Sequence, residues 1–242
     1  RNSDGSDYSR IFEYACKAPT VNPGNIDQTL VVMIPNTTDY GGMTYMWGDG
    51  SAIAYCPMSD YGYPFDFRGL IQHEAGGHGF GKLGDEYIYH NAFIDNCTCS
   101  CCGHSSDIMN AQAMGWYQNL SLTGNMDRVP WSHLIFHEKY SHIVDIYEGG
   151  YMHARGVYRS EQNSCMNNNV PYYSTISREA MVKRIKAYAG ETYSFAEFVA
   201  NDVMDAATVT TRSEIPETIS RAPIYRRPPV MMGNRPNLNV NN

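Results

Sequence analysis

The segment that most constrains this chain is His73-Glu74-Ala75-Gly76-Gly77-His78-Gly79-Phe80-Gly81-Lys82-Leu83-Gly84-Asp85-Glu86-Tyr87. Two histidines, with a glutamate directly after the first, carry the chemistry of a hydrolytic zinc site. Neutral imidazoles bind the cation, and the carboxylate takes a proton from a water activated beside it. The usual spacing is i, i+4, whereas His73 and His78 stand at i, i+5. A regular helix turns by about 100° per residue, so these rings would diverge by about 140° rather than about 40°. A π-type widening removes the conflict by bringing i and i+5 onto one face. Gly76 and Gly77 lie where such a widening is needed. Gly81 then lets the chain turn, and Asp85 and Glu86 return carboxylates toward the histidines. Three protein ligands and one open position make a catalytic rather than a structural zinc site. The plainer alternative is a helix end with two incidental histidines, a glycine cap and an acidic turn. A second register, with Glu74 and His78 as the ligand pair, strands His73 and leaves no base.

Composition narrows the classes. With 18 Lys and Arg against 25 Asp and Glu, the 242-residue chain carries a net charge of −7 and has no basic runs. Nucleic acid and anionic membrane surfaces are therefore poor partners. No apolar run approaches the roughly 20 residues of a membrane span; the longest, near Thr29 to Pro35, is strand-sized. The opening Arg1-Asn2-Ser3-Asp4-Gly5 lacks a signal pattern and reads as a chain continued from upstream. Seven cysteines, four of them at Cys97, Cys99, Cys101 and Cys102, point to an extracytoplasmic setting: secreted, periplasmic or cell-surface. Disulfides bracing the loop after the zinc motif are the first reading of that cluster, and thiolate metal binding is the second.

Periodicity predicts a helix over Tyr8 to Lys17, a buried-type strand over Thr29 to Ile34, and a hairpin of Met43 to Trp47 and Ser51 to Tyr55 about Gly48-Asp49-Gly50. Asp66 is placed to cap a helix from Phe67, whose core face is Phe67, Leu70, Ile71 and Ala75. Further helices are expected over Ser132 to Tyr140, Ser174 to Ala189 and Phe195 to Ala207, with a short strand over Ile143 to Tyr147. The domain then spans 1–211, its N-terminal subdomain reaching about residue 90, and 212–242 is a Pro-rich extended tail that wraps the domain or links onward.

The motif resembles that of the IgA-peptidase-like zinc metallopeptidases, distant relatives of the metzincins. Their pattern is HExxH, a Phe among small residues, then Leu-x-Asp-Glu-Tyr. Phe80, Leu83-Gly84-Asp85-Glu86-Tyr87 and the His78-to-Asp85 interval match it, while the extra residue between the histidines is similar to the HExxxH signature of dipeptidyl peptidase III. Downstream, Tyr147-Glu148-Gly149, Gly156-Val157-Tyr158-Arg159-Ser160, Ser164-Cys165-Met166 and Ser177-Arg178-Glu179-Ala180 resemble the family's run through its methionine turn and beyond. The resemblance implies an α+β, metzincin-like fold: a twisted mixed sheet on an active-site helix, with a C-terminal subdomain carrying the methionine turn. It implies Zn2+ held by His73, His78 and Asp85, with Asp85 preferred to Glu86, and Glu74 as general base. Met166 becomes an apolar floor under the metal, and Tyr158, Tyr172 or Tyr173 helps hold the oxyanion.

Other histidines carry less. His133 and His137 stand at i, i+4 before Glu138, but no third ligand or glycine turn accompanies them. His90, His104, His142 and His153 read as surface or satisfied core residues. The function expected is a monomeric zinc metalloendopeptidase acting on a protein or peptide substrate. Its competitors are a zinc-stabilised surface binding module without turnover and a zinc amidase acting on glycan or cell-wall peptides.

Overall fold

The computed structural model describes residues 7–96, 102–203 and 228–238. Helix α1 (Tyr8–Ala15) starts where the Asp7 carboxylate accepts from Arg10 N at 3.1 Å. Its Phe12 and Tyr8 meet Trp47 edge-on, with ring centroids 5.0 and 5.3 Å apart. Strand β1 (Leu30–Met33) runs parallel to β3 (Ala52–Tyr55), which pairs antiparallel with β2 (Met43–Trp47) in the register Met43↔Tyr55. Gly50 supplies the positive φ, 98°, of the β2–β3 turn. Helix α2 (Phe67–Leu70), capped by Asp66 on Gly69 N, runs without a break into a ten-residue π-helix, Ile71–Phe80.

Strand β4 (Ile88–Phe93), α3 (Ser105–Ala113), β5 (Leu120–Ser121), α4 (Ser132–Ile135), β6 (Tyr147–Gly150) and β7 (Met152–Arg159) follow. Then come α5 (Cys165–Asn168), α6 (Thr175–Tyr188), α7 (Phe195–Asn201) and β8 (Val230–Met232). The first sheet has the order β1-β3-β2-β8, with β8 parallel to β2; the second is β4-β7-β5, with β6 also on β7. Both mix parallel and antiparallel pairs, so the chain is α+β with mixed sheets. Among the described residues, no helix is long and apolar enough to cross a membrane.

Three departures from the periodicity have local causes. Strand β1 lies at a sheet edge, so Val31 and Met33 pack with α1 while Val32 stays 37% exposed, a half-buried strand instead of a sealed one. The helix expected over Ser132 to Tyr140 stops at Ile135, and Ile143 to Val144 form no strand. There Trp131 Nε1 donates to Asp145 O at 2.9 Å, which draws the loop inward until Tyr140, Ile143 and Val144 complete the core around Trp131. The last helix ends at Asn201, and residues 204–207 of that expectation lie outside the described set, as does most of the tail. Where the tail is described it adds β8 to the first sheet, and Arg235 Nε meets Asp49 Oδ2 at 2.8 Å.

Helix α6 is tied to its surroundings by Glu179. This buried carboxylate accepts from His133 Nε2 at 2.8 Å, Lys183 Nζ at 2.8 Å and Tyr193 OH at 2.7 Å. Burial alone would raise its pKa, but those three partners outweigh it and hold it at about 2 against an ordinary 4.5. A folded-state value below the unfolded one stabilises the protein above the unfolded pKa and is lost as pH falls toward the folded one. Urea midpoints of native protein and Glu179→Gln should therefore lie far apart at pH 6 and draw together between pH 4.5 and pH 2; a gap independent of pH would reject this account.

Candidate metal centre

The π-helix decides the centre. Its ladder includes Gly81 N donating to Gly76 O at 2.9 Å, an i→i−5 bond that widens the turn and brings residues five apart onto one face. His73 and His78 therefore converge instead of diverging: their Nε2 atoms are 3.1 Å apart. Asp85 Oδ1 lies 2.9 Å from the first and 3.2 Å from the second. All three residues are buried, at 0–2% exposure. This is the one group of potential metal ligands of its kind found among the described residues.

Backbone carbonyls determine what the group can hold. His73 Nδ1 lies 2.9 Å from Cys165 O and His78 Nδ1 lies 2.7 Å from Leu83 O. A carbonyl only accepts, so both Nδ1 atoms carry protons, and in its neutral form each ring presents a lone pair on Nε2. Two imidazole lone pairs and a carboxylate oxygen thus face one another. A single added proton bridges one of these contacts; a divalent cation satisfies all three. Tetrahedral zinc, with bonds of about 2.0–2.1 Å, implies ligand-to-ligand edges of about 3.3 Å, close to the 2.9, 3.1 and 3.2 Å present. The donor set fits such an ion. Burial alone would lower the His73 pKa and raise that of Asp85, yet Asp85 pushes His73 up, and His78 together with His73 pushes Asp85 down.

Asp85 is fixed from three sides. Asn119 accepts from Gly84 N at 2.9 Å and donates to Gly84 O at 2.8 Å. Asp85 O accepts from Tyr151 N, and Glu86 N donates to Met166 O, each at 2.9 Å. Glu86 points elsewhere: its oxygens accept from Ser164 Oγ at 2.5 Å and Asn119 Nδ2 at 2.8 Å, and burial raises its pKa to about 7. Of the two adjacent acids, Asp85 joins the histidines, and Glu86 binds the segment carrying α5. The roles of Asn119 and of Ser164, the latter named only within the methionine-turn run, left no local signal in the sequence, since they lie 35 and 78 residues from their partners.

Glu74 is buried beside the cluster, its charge felt by both histidines and Asp85. Burial raises its pKa, against the pull of His78 and His73. The Thr44 hydroxyl on β2 lies 2.8 Å from its Oε2, and a Cβ built on Gly42 would lie 2.5 Å from its Oε1. Met166 is fully buried under the helix, where a Cβ on Gly77 would meet its Sδ at 2.2 Å. Gly76 is bare for a similar reason, since a Cβ there would lie 2.4 Å from Tyr173 OH. The sharp turn falls one residue later than the glycines suggested: Gly81 has φ −70°, and Lys82 takes the left-handed conformation at 53°.

Of the three tyrosines named above, Tyr173 donates to Gln72 O of the π-helix at 2.5 Å, whereas Tyr172 donates to Glu161 Oε2 at 2.6 Å and Tyr158 to Glu148 Oε1 at 3.4 Å. His133 pairs with Glu179, and His137 lies against Tyr140 and Phe195. His153 bonds Gly103 O, His104 is 3.6 Å from Asp95, His90 Nε2 is 3.5 Å from Cys102 Sγ, and His142 is exposed. Cys102 is disulfide-bonded; Cys97, Cys99 and Cys101 lie outside the described residues.

No protein-family model matches the chain, and no curated protein matches it either. The geometry supports two measurements. Elemental analysis should find one tightly held divalent ion per chain in native protein and in Glu86→Gln, and none in His78→Ala or Asp85→Ala. Gly77→Ala should lower stability by about 1–3 kcal/mol in urea unfolding, because its methyl group displaces Met166; a neutral outcome would mean that Met166 does not support the helix there.

Proposed function

We propose that the chain is a zinc-dependent peptidase that hydrolyses peptide bonds in protein substrates. The observation that carries this reading is the convergence of His73 Nε2, His78 Nε2 and Asp85 Oδ1, with both Nδ1 atoms turned to backbone carbonyls, beside a buried glutamate that coordinates nothing in the cluster. A site built only to brace the fold has no need of that glutamate. When bound there, zinc supplies Lewis acidity toward a carbonyl oxygen and toward water. The protein's own part is proton handling: Glu74 takes a proton from the attacking water and returns it to the leaving amine. Thr44 and the bare backbone at Gly42 hold the Glu74 carboxylate in one place during both transfers.

The family resemblance completes the proposal. The first sheet and the π-helix form the upper half of a metzincin-like fold, and α5 with Met166 forms its methionine turn. The disulfide at Cys102 supports an oxidising, extracytoplasmic setting. The chain acts on peptides as a monomer.

Native protein and Glu74→Gln, both zinc-loaded, should be compared on a proteome-derived peptide library. Cleavage by native protein, slowed about 10²–10⁴-fold in Glu74→Gln at unchanged metal content, is expected. Equal cleavage by both, or by neither, overturns the reading, and the second result favours a binding module. Thr44→Val should lower kcat with little change in KM, since it frees the base without touching the substrate.

A further inference from the structure

A groove of about 370 Å3 opens where the π-helix ends, between α6 and the loop after α3. Lys82, Trp116, Tyr117, Gln118, Arg184 and Tyr188 line it, and no Asp or Glu does. Lys183 also reaches this wall, but its ammonium is paired with Glu179.

Lys82 is 2% exposed, and its Nζ has no hydrogen-bond partner. The ammonium lies 5.1 Å from the centre of the Trp116 ring, a contact that attracts a cation without neutralising it. Arg184, from α6, covers the Tyr188 ring at 4.9 Å and donates through Nη2 to Tyr188 OH at 2.6 Å, while its Nε has no partner. The two cations repel each other, and burial together with Arg184 lowers the Lys82 pKa to about 7. Asp49 attracts Lys82 but already accepts from Ser51 and Arg235. A chain of net charge −7 thus places two basic side chains, with no acidic residue among the lining, in one concavity.

The backbone is strained at the same place. Lys82 and Tyr117 hold φ values of 53° and 52°, a region that side-chain-bearing residues rarely enter, and Tyr117 N donates to Lys82 O at 2.8 Å. Strain of this kind persists where surrounding structure enforces it, and it collects at binding and switch sites. Here it places a buried ammonium beside an indole face.

We infer that this groove binds the carboxylate of an organic ligand between Lys82 and Arg184, with the ligand's flat or apolar part against Trp116 and Tyr188. A carboxylate accepts from both cations at once, and the arginine fork favours it over a spherical anion. Gln118 offers an amide to a further polar group. The inference is independent of the peptidase reading and involves neither Glu74 nor the metal ligands.

Calorimetric titration of the full chain tests it without reading hydrolysis, so failure here leaves the peptidase reading standing, and the reverse holds too. The probes are benzoate and a blocked tripeptide with a free carboxyl terminus, each beside its uncharged amide. Either acid should bind at least about tenfold more tightly than its amide, and Arg184→Gln and Lys82→Met should each remove that preference. Benzoate binding identifies small organic acids as ligands; binding of the tripeptide acid alone identifies a peptide terminus. Arg184→Gln, on the face of a long helix, decides the matter should Lys82→Met disturb its turn. No binding by either acid, equal binding by the amides, or undiminished binding by Arg184→Gln overturns the proposal.

Discussion

Two imidazole nitrogens and a carboxylate oxygen meet in the protein interior. His73 Nε2, His78 Nε2 and Asp85 Oδ1 all lie within 3.2 Å of one another, and two backbone carbonyls keep the imidazole protons on the far side of each ring. Without a metal ion, the attraction between Asp85 and the imidazoles, which raises the His73 pKa, offsets the cost of burying them. A divalent ion satisfies all three atoms at once, which a single proton cannot do. Much of the surrounding structure keeps these three atoms from relaxing apart.

That holding comes from both halves of the chain. Strand β3, the Cys56 that follows it and the π-helix share a small core of Ala54, Cys56 and Ala75, which sets the helix against the first sheet. From below, α5 supplies the Cys165 carbonyl to His73, the Met166 carbonyl to Glu86, and the Met166 side chain to Gly77. The second sheet fixes the third ligand through Tyr151, which takes a positive φ of 45° at the β6–β7 turn and donates to Asp85 O. Glycine serves here mainly as absence. Gly42, Gly76 and Gly77 each stand where a methyl group would overlap Glu74, Tyr173 or Met166.

Much of this was legible locally. The hairpin of β2 and β3, the Asp66 cap and the helices α1 and α6 follow from alternation, turn glycines and capping chemistry, all of which act within a few residues. The widening between His73 and His78 was legible too, as the one backbone conformation that reconciles an i, i+5 pair with a shared face. The edge position of β1, the burial of Tyr140, Ile143 and Val144 around Trp131 and the return of the chain as β8 were not. Each depends on which distant segment arrives to bury a surface.

The residue types, their order and their spacing were enough to nominate two imidazoles, a base and a pair of candidate carboxylates, because metal chemistry demands particular atoms and a helix permits few ways to align them. Choosing between Asp85 and Glu86 required the tertiary structure. Adjacent residues in an extended segment point to opposite sides, and only the arrival of Asn119 and Ser164 shows that one side belongs to Glu86 and the other to the histidines. Protonation was decided in the same way. Which nitrogen of His73 carries the hydrogen depends on a carbonyl 92 residues away, a distance across which sequence pattern has no reach but packing does.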